Sequence, residues 1–196
     1  YKLLRSQKTY RKRYGSGQQR RGMIKNRTSI DDRPAIVDQK IRIGDIEGDT
    51  VIGKNQQGVI ITLVDRVSRF TFATKAKSKH AKGVAEGMID LLKPHQERGH
   101  TITVDNGKEC AFHMLVAKQL QVDVYFAHPY HSWERGLNEN TNGLLRQYFP
   151  KKTNFKKVTE QELQAAIFML NHRPRKCLGY KTPFEVFYNL DILPLK

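Results

Sequence analysis

From Ile41 onward, apolar and β-branched positions come in short runs: Ile41–Ile52, Gly58–Val64 and Arg69–Lys75. Gly53 with Lys54-Asn55, and then Asp65-Arg66, separate them. Runs of that length, bounded by turn residues, predict three strands with short connections, an antiparallel meander. Over Ser78–Leu92 the period changes, with Val84, Met88, Leu91 and Leu92 at helical spacing and Pro94 closing the run. Thr101–Val104 predicts a fourth strand, Cys110–Leu120 a second helix with Phe112, Leu115 and Val116 inward, and Val122–Phe126 a fifth strand. Gly136–Phe149 reads as a further helix. In Thr159–Asn171, Leu163, Ala166, Ile167 and Leu170 share a side, Thr159 and Glu162 offer a capping box, and Pro174 stops the helix. Thr182–Leu190 predicts a last short helix with Thr182 as cap and Pro183 in its first turn. Three antiparallel strands, then two that alternate with helices, make a mixed sheet with helices on both faces, followed by C-terminal helices.

That order of elements resembles the ribonuclease-H-like fold. Three regions are expected: a basic linker over residues 1–38, extended or ordered on DNA; a core over 39–150; and a basic loop with helices over 151–196. Charge sharpens the division. Lys and Arg number 35 against 19 Asp and Glu, a net +16. Residues 1–30 carry ten basic and no acidic side chains, residues 31–150 sixteen and fifteen, and residues 151–196 nine and four. Strongly positive flanks suit a polyanionic partner and leave the acidic groups of the centre for other work. No apolar stretch nears the roughly 20 residues of a membrane span, and no secretory signal is evident. Two cysteines, Cys110 and Cys177, build no disulfide framework, so a soluble intracellular protein is expected. The chain opens on Tyr rather than Met, as a fragment or processed product does.

Three carboxylates stand out. Asp49 interrupts an apolar strand, Gly48-Asp49-Thr50-Val51-Ile52, where a charge costs energy unless a cation meets it. Asp105 follows the fourth strand directly, at a strand end where catalytic side chains are often mounted. Glu139 falls on the Gly136–Phe149 helix. At about 100° per residue, Asn142, Gly143 and Arg146 share its side, while Leu137, Leu144, Leu145 and Tyr148 cluster opposite, so the leucines and Tyr148 are expected to be buried. Arg146 lies about 10 Å along the axis from Glu139, free to meet a phosphate. Asp45, Glu47, Asp65 and Glu109 are expected as solvent-facing or outer groups.

The stretches Glu47-Gly48-Asp49-Thr50-Val51-Ile52-Gly53, Asp105-Asn106-Gly107-Lys108-Glu109, His128-Pro129-Tyr130 with Ser132-Trp133-Glu134-Arg135-Gly136, Asn138-Glu139-Asn140-Thr141-Asn142-Gly143-Leu144, and Asn171-His172-Arg173-Pro174-Arg175-Lys176 with Thr182-Pro183 resemble the IS-thirty family of bacterial insertion-sequence transposases. The likeness covers roughly residues 40–190. It implies a DDE catalytic domain with Asp49, Asp105 and Glu139 as the triad and as the metal ligands. It also implies a protein of the bacterial cytoplasm associated with the nucleoid. The thirty-three residues between Asp105 and Glu139 fit that pattern, and Arg146 matches the basic residue seven positions after the glutamate. Family members also carry an N-terminal helix-turn-helix region, which these residues are not expected to include.

Phosphodiester cleavage needs an activated hydroxyl and charge relief for the leaving oxygen, and two Mg²⁺ ions about 3.5–4 Å apart supply both. Mn²⁺ is expected to substitute. The expected reaction is hydrolysis at element ends, then attack of the freed 3′ hydroxyl on target DNA, by a homo-oligomer on DNA. The candidate DNA contacts are Arg146, Lys108 and Asn142, the basic run with Lys151 and Lys152, and Arg173 and Arg175. Trp133 is a candidate to stack on a frayed base or to pack within its loop. Other readings stay open: a zinc-like set of Cys110, His113, His128 and His131; a tyrosine recombinase using Tyr180 or Tyr188 after His172-x-x-Arg175; and a non-catalytic DNA-binding protein derived from a transposase.

Overall fold

The computed structural model describes residues 24–190, apart from Lys79 and Tyr130. Six strands form one sheet: β1 (Thr28–Ser29), β2 (Asp45–Ile52), β3 (Val59–Asp65), β4 (Thr71–Lys75), β5 (Thr101–Val104) and β6 (Asp123–Phe126). Their order is β1-β6-β5-β2-β3-β4, with β1, β6, β5 and β2 parallel and the β2–β3–β4 meander antiparallel. The helices are α1 (Ala35–Gln39), α2 (Ala81–Leu92), α3 (His113–Leu120), α4 (Gly136–Tyr148), α5 (Glu160–Asn171) and α6 (Pro183–Tyr188). No described helix is long and apolar enough to cross a membrane.

Burial on both faces explains the apolar density of β3, whose seven residues are all buried. Ile61 and Leu63 join Ile46, Ile102, Val104, Val124 and Phe126 under α2 and α3, with Val84, Met88, Val116 and Leu120 opposite them. Ile60 points the other way and joins Val51 and Ala73 against Leu145, Leu163, Ile167 and Leu170 of α4 and α5. Gly48 faces Met88 of α2: a Cβ there would lie 3.1 Å from Leu63 and 3.2 Å from Val104, a tight fit that those side chains would have to yield to.

The capping boxes form as their sequences predict. Thr159 Oγ1 accepts from Glu162 N–H at 3.1 Å and Thr159 N–H donates to Glu162 Oε2 at 2.7 Å. Thr182 and Glu185 repeat the exchange at 3.1 and 2.6 Å.

Several features differ from expectation, and Phe112, expected inward, is 46% exposed just before α3. The last part of the expected linker belongs to the sheet, since β1 pairs with β6 through Thr28–Tyr125 and Ser29–Phe126. Two residues are too short for any periodicity to announce them. Residues 1–23 of that linker lie outside the described residues. Asp45, Glu47 and Asp65, expected near solvent, are 1, 3 and 0% exposed. Each has partners: Asp45 accepts from Nε and Nη2 of Arg42, both at 2.9 Å. Asp65 accepts from the Gly44, Val67 and Ser68 amides and the Ser68 hydroxyl.

Candidate active site

Register brings two aspartates together. On the parallel strands β2 and β5, Glu47 stands opposite Thr103. Asp49 and Asp105 each lie two residues further along. Side chains two apart share a face, and neighbouring strands are about 4.8 Å apart, so both carboxyls emerge side by side. Asp105 lies just past Val104, where β5 ends and the chain turns.

Each carboxylate has one oxygen pinned. Asn142 of α4 donates Nδ2–H to Asp49 Oδ2 at 2.6 Å, and Gly107 N–H donates to Asp105 Oδ1 at 2.9 Å. The remaining oxygens face one guanidinium: Arg135 Nη1 is 3.5 Å from Asp49 Oδ1 and Nη2 is 3.4 Å from Asp105 Oδ2. Arg135 also donates to the Gly48 carbonyl at 3.0 Å. Burial pushes the Asp49 carboxyl above the ordinary range and the charge on Asp105 adds to it, while Arg135, the Thr50 amide and Asn142 pull it down. Two oxygen ligands converging on a shared cation are a hard donor set of the kind Mg²⁺ takes.

Helix α4 docks through polar groups over its first two turns. Residues 47, 49 and 51 of β2 face this helix. Glu47 Oε2 accepts from Asn138 N–H at 3.2 Å, Asp49 from Asn142, and Val51 shares a cluster with Leu145. Strand spacing of two thus meets helix spacing of four and three. Burial raises the Glu47 pKa, against the pull of Arg66, whose Nη1 stands 3.5 Å from Glu47 Oε1. The expected burial of all the leucines with Tyr148 is corrected here. Leu145 is buried, but Asn138 and Thr141 take the other buried places and Tyr148 is exposed, because the sheet beneath them is acidic.

Glu139 is exposed in the first turn of α4, three residues before the Asn142 that bonds Asp49. The structure therefore joins Asp49 to Asp105 and leaves Glu139 on the adjoining helix. Among the described residues, the three-ligand group whose donor atoms all lie within 4.8 Å of one another is His128, His131 and Glu134. Arg135 had no part in the sequence-derived site. Its sequence signal is weak, an arginine in a polar loop four residues before Glu139.

The candidate DNA contacts divide. Lys108, Lys151, Lys152 and Arg173 are exposed. Trp133 is 70% exposed and stacks on His131 at 4.3 Å. Asn142, expected on the DNA side, is turned to Asp49. Arg146 donates to the Ile52 carbonyl at 3.3 Å and lies over the Phe155 ring. Arg175 donates to the Leu170 carbonyl at 3.1 Å. Glu109 accepts from Thr50 Oγ1 at 3.3 Å. The zinc-like set does not assemble, since Cys110 is buried in the core and His113 Nε2 meets the Asn26 carbonyl at 3.1 Å. Tyr188 packs against Phe70, Phe184 and Phe187, on the α2 side of the sheet.

No family model matches the chain. Among curated proteins, it is 49% identical over 188 residues to the transposase for insertion sequence element IS4351 of Bacteroides fragilis, covering 95% of this chain and 57% of that protein. It is 43% identical over 165 residues to transposase InsI for insertion sequence element IS30A of Escherichia coli K12, covering 83% and 43%. It is 37% identical over 187 residues to the transposase for insertion sequence element IS1086 of Cupriavidus metallidurans, covering 93% and 54%. The chain spans about half the length of these relatives. Among solved structures, the catalytic core domain of BIV integrase matches with a TM-score of 0.58 at 22% identity, covering 74% of this chain and 93% of that one. A chain of the simian T-cell lymphotropic virus intasome in complex with PP2A regulatory subunit B56 gamma matches at 0.62 and 22%, covering 79% and 58%. The fold is ribonuclease-H-like, as the order of elements predicts, and over the matched length the chain belongs to the IS30 family of insertion-sequence transposases.

Proposed function

We propose that this chain is the catalytic segment of a DDE transposase, with Asp49, Asp105 and Glu139 as the acidic triad and two Mg²⁺ ions as the cofactor. One observation carries the reading: Asp49 on β2 and Asp105 just past the end of its parallel neighbour β5 present one oxygen each to a single cation, and Asn142 docks the helix bearing Glu139 onto Asp49. Bound there, the ions would activate a hydroxyl and stabilise the leaving oxygen. Asp49 and Asp105 are the ligands already oriented, and Glu139 completes the set from α4. Arg135 holds the two carboxylates apart from each other's charge until it yields the place.

In the proposed reaction water attacks a phosphodiester at the element end, breaking a P–O bond and freeing a 3′ hydroxyl. That hydroxyl then attacks a target phosphodiester, forming a new P–O bond and displacing a target 3′ hydroxyl. Lys151, Lys152 and Arg173 are exposed cations of the kind that meets DNA phosphates. Two element ends have to be handled together, so the proposed enzyme acts as a homo-oligomer on DNA.

The test is a cleavage and strand-transfer assay on element-end DNA with Mg²⁺ or Mn²⁺, comparing wild type with D49N, D105N and E139Q. Each variant should lose well over the about 10–100-fold that outer-sphere changes cost. Unchanged activity in any one removes that residue from the triad. DNA binding without cleavage, indifferent to Mg²⁺ and to D49N, would instead make the chain a non-catalytic DNA-binding protein.

A further inference from the structure

We propose that His128, His131 and Glu134 form a second metal site, for a borderline divalent ion such as Zn²⁺, in the loop that leads into α4. Glu134 Oε1 meets the Nδ1 atoms of both rings, at 2.9 Å from His128 and 3.2 Å from His131. Ligands bound about 2.0–2.1 Å from one metal stand roughly 3 Å apart, so the spacing suits a shared ion. As a purely hydrogen-bonded cluster, the group needs a proton on each Nδ1. A dication takes the place of both.

Each ligand is itself held. His128 Nε2 lies 2.9 Å from Asp31 Oδ2, the arrangement in which a metal-bound imidazole gives its other N–H to a carboxylate. Glu134 Oε2 accepts from His128 N–H at 2.8 Å, and the His131 ring stacks on Trp133. The His128 and His131 side chains keep 36 and 43% exposure, which gives an ion a way in and a position for water. Two imidazoles with one carboxylate select Zn²⁺-like ions, whereas Mg²⁺ prefers an all-oxygen set. The site shares no ligand with Asp49 or Asp105. Its place gives it a role: Glu134 directly precedes Arg135, and Asp31 lies just after β1. A bound ion would tie the start of α4 to that segment and fix where Arg135 stands.

The full chain, stripped with a chelator and without DNA, is titrated with Co²⁺. Ligand-field bands should saturate at one ion per chain, yield to Zn²⁺ and ignore excess Mg²⁺. H131A and E134Q should each weaken Zn²⁺ binding tenfold or more, while D105N leaves it within twofold. In wild type, Zn²⁺ should shift the imidazole ¹⁵N signals of His128 and His131, a reading independent of how the variants fold. No saturable Co²⁺ or Zn²⁺ binding, undiminished binding in both H131A and E134Q, or shifts confined to other histidines would overturn the proposal and leave a hydrogen-bonded cluster only.

Discussion

Replacing Arg135 by glutamine removes the cation that Asp49 and Asp105 share while keeping a polar tip near the Gly48 carbonyl. The Asp49 half is the costly one. Arg135 and Asp49 keep 13 and 21% side-chain exposure, whereas Asp105 keeps 40%, and water screens it. Stripping one partner from a fully buried pair costs about 3–5 kcal/mol. With half of this arrangement open to solvent, about 2 kcal/mol is expected, a fall in Tm of roughly 4–8 °C for a domain of this size. The pH dependence has a fixed sign. Burial holds Asp49 above the ordinary range against the pull of Arg135, so without Arg135 its pKa rises further. A carboxyl with a folded pKa above its unfolded value binds more protons when folded, so stability falls as pH climbs from the unfolded value through the folded one. The R135Q deficit is therefore smallest near about pH 4 and complete at neutral pH. Mg²⁺ at ten times its Kd should return about 1.4 kcal/mol to the variant. It returns less to wild type, where Arg135 must first give way. Thermal and urea unfolding of both proteins, at the two pH values and in EDTA or Mg²⁺, measures all three effects. Equal Tm values in EDTA, or equal Mg²⁺ increments, would refute the shared-cation account.

Other substitutions test the scaffold. Asn171 gives Nδ2–H to the Thr71 carbonyl and takes Thr71 N–H on Oδ1, both at 2.9 Å, so it completes the exposed side of β4; N171A should cost about 2–4 kcal/mol in urea melts by orphaning two buried backbone groups. Gly58 has φ +81°, and a Cβ there would stand 2.7 Å from Phe155 Cβ and 2.8 Å from Lys156 N; G58A should cost at least about 2 kcal/mol by calorimetry. The Thr159 amide and hydroxyl hold the Glu162 carboxyl below its usual range. Its contribution is present above the unfolded pKa and lost as pH falls through the folded one, so E162Q should match wild type in acid and melt earlier at neutral pH. Because polar groups dock the first turns of α4 while apolar ones seat α5, amides 140–144 should exchange with deuterium faster than amides 164–170; equal protection would contradict that difference.

Periodicity made most of the fold legible. Strands β2 to β4 announce themselves because β-branched residues run between turn signals, and β5 and β6 because short apolar runs alternate with helical ones. Strand β1 carries no such signal: with two residues, its pairing is dictated by β6 rather than by its own composition. The acidic residues of the core misled for a related reason. Composition places Asp65 and Glu47 at the surface, but Asp65 finds four donors and Glu47 finds Arg66 and the Asn138 amide. For Asp65 three of the four donors lie two or three residues on, a local turn that its Asp-x-x-Ser spacing allows, but the Asn138 amide is 91 residues from Glu47 and no local pattern reports it.

The candidate site was legible in its carboxylates and illegible in its cation, and the asymmetry has a physical cause. A carboxylate inside an apolar strand is conspicuous, because burying it alone is costly. An arginine in a polar loop is not, since such residues are usually solvated there. Only the tertiary structure shows Arg135 half-buried between Asp49 and Asp105. The same logic explains α4. A helix read by its leucines turns the wrong face inward when the surface beneath it carries Glu47 and Asp49, for then Asn138 and Asn142 are the better partners, and Leu145, with Leu144 partly buried beside it, keeps the apolar seat. Hydrophobic pattern locates an element. Which face it buries depends on what it meets, and at a site built from charge the faces that meet are polar.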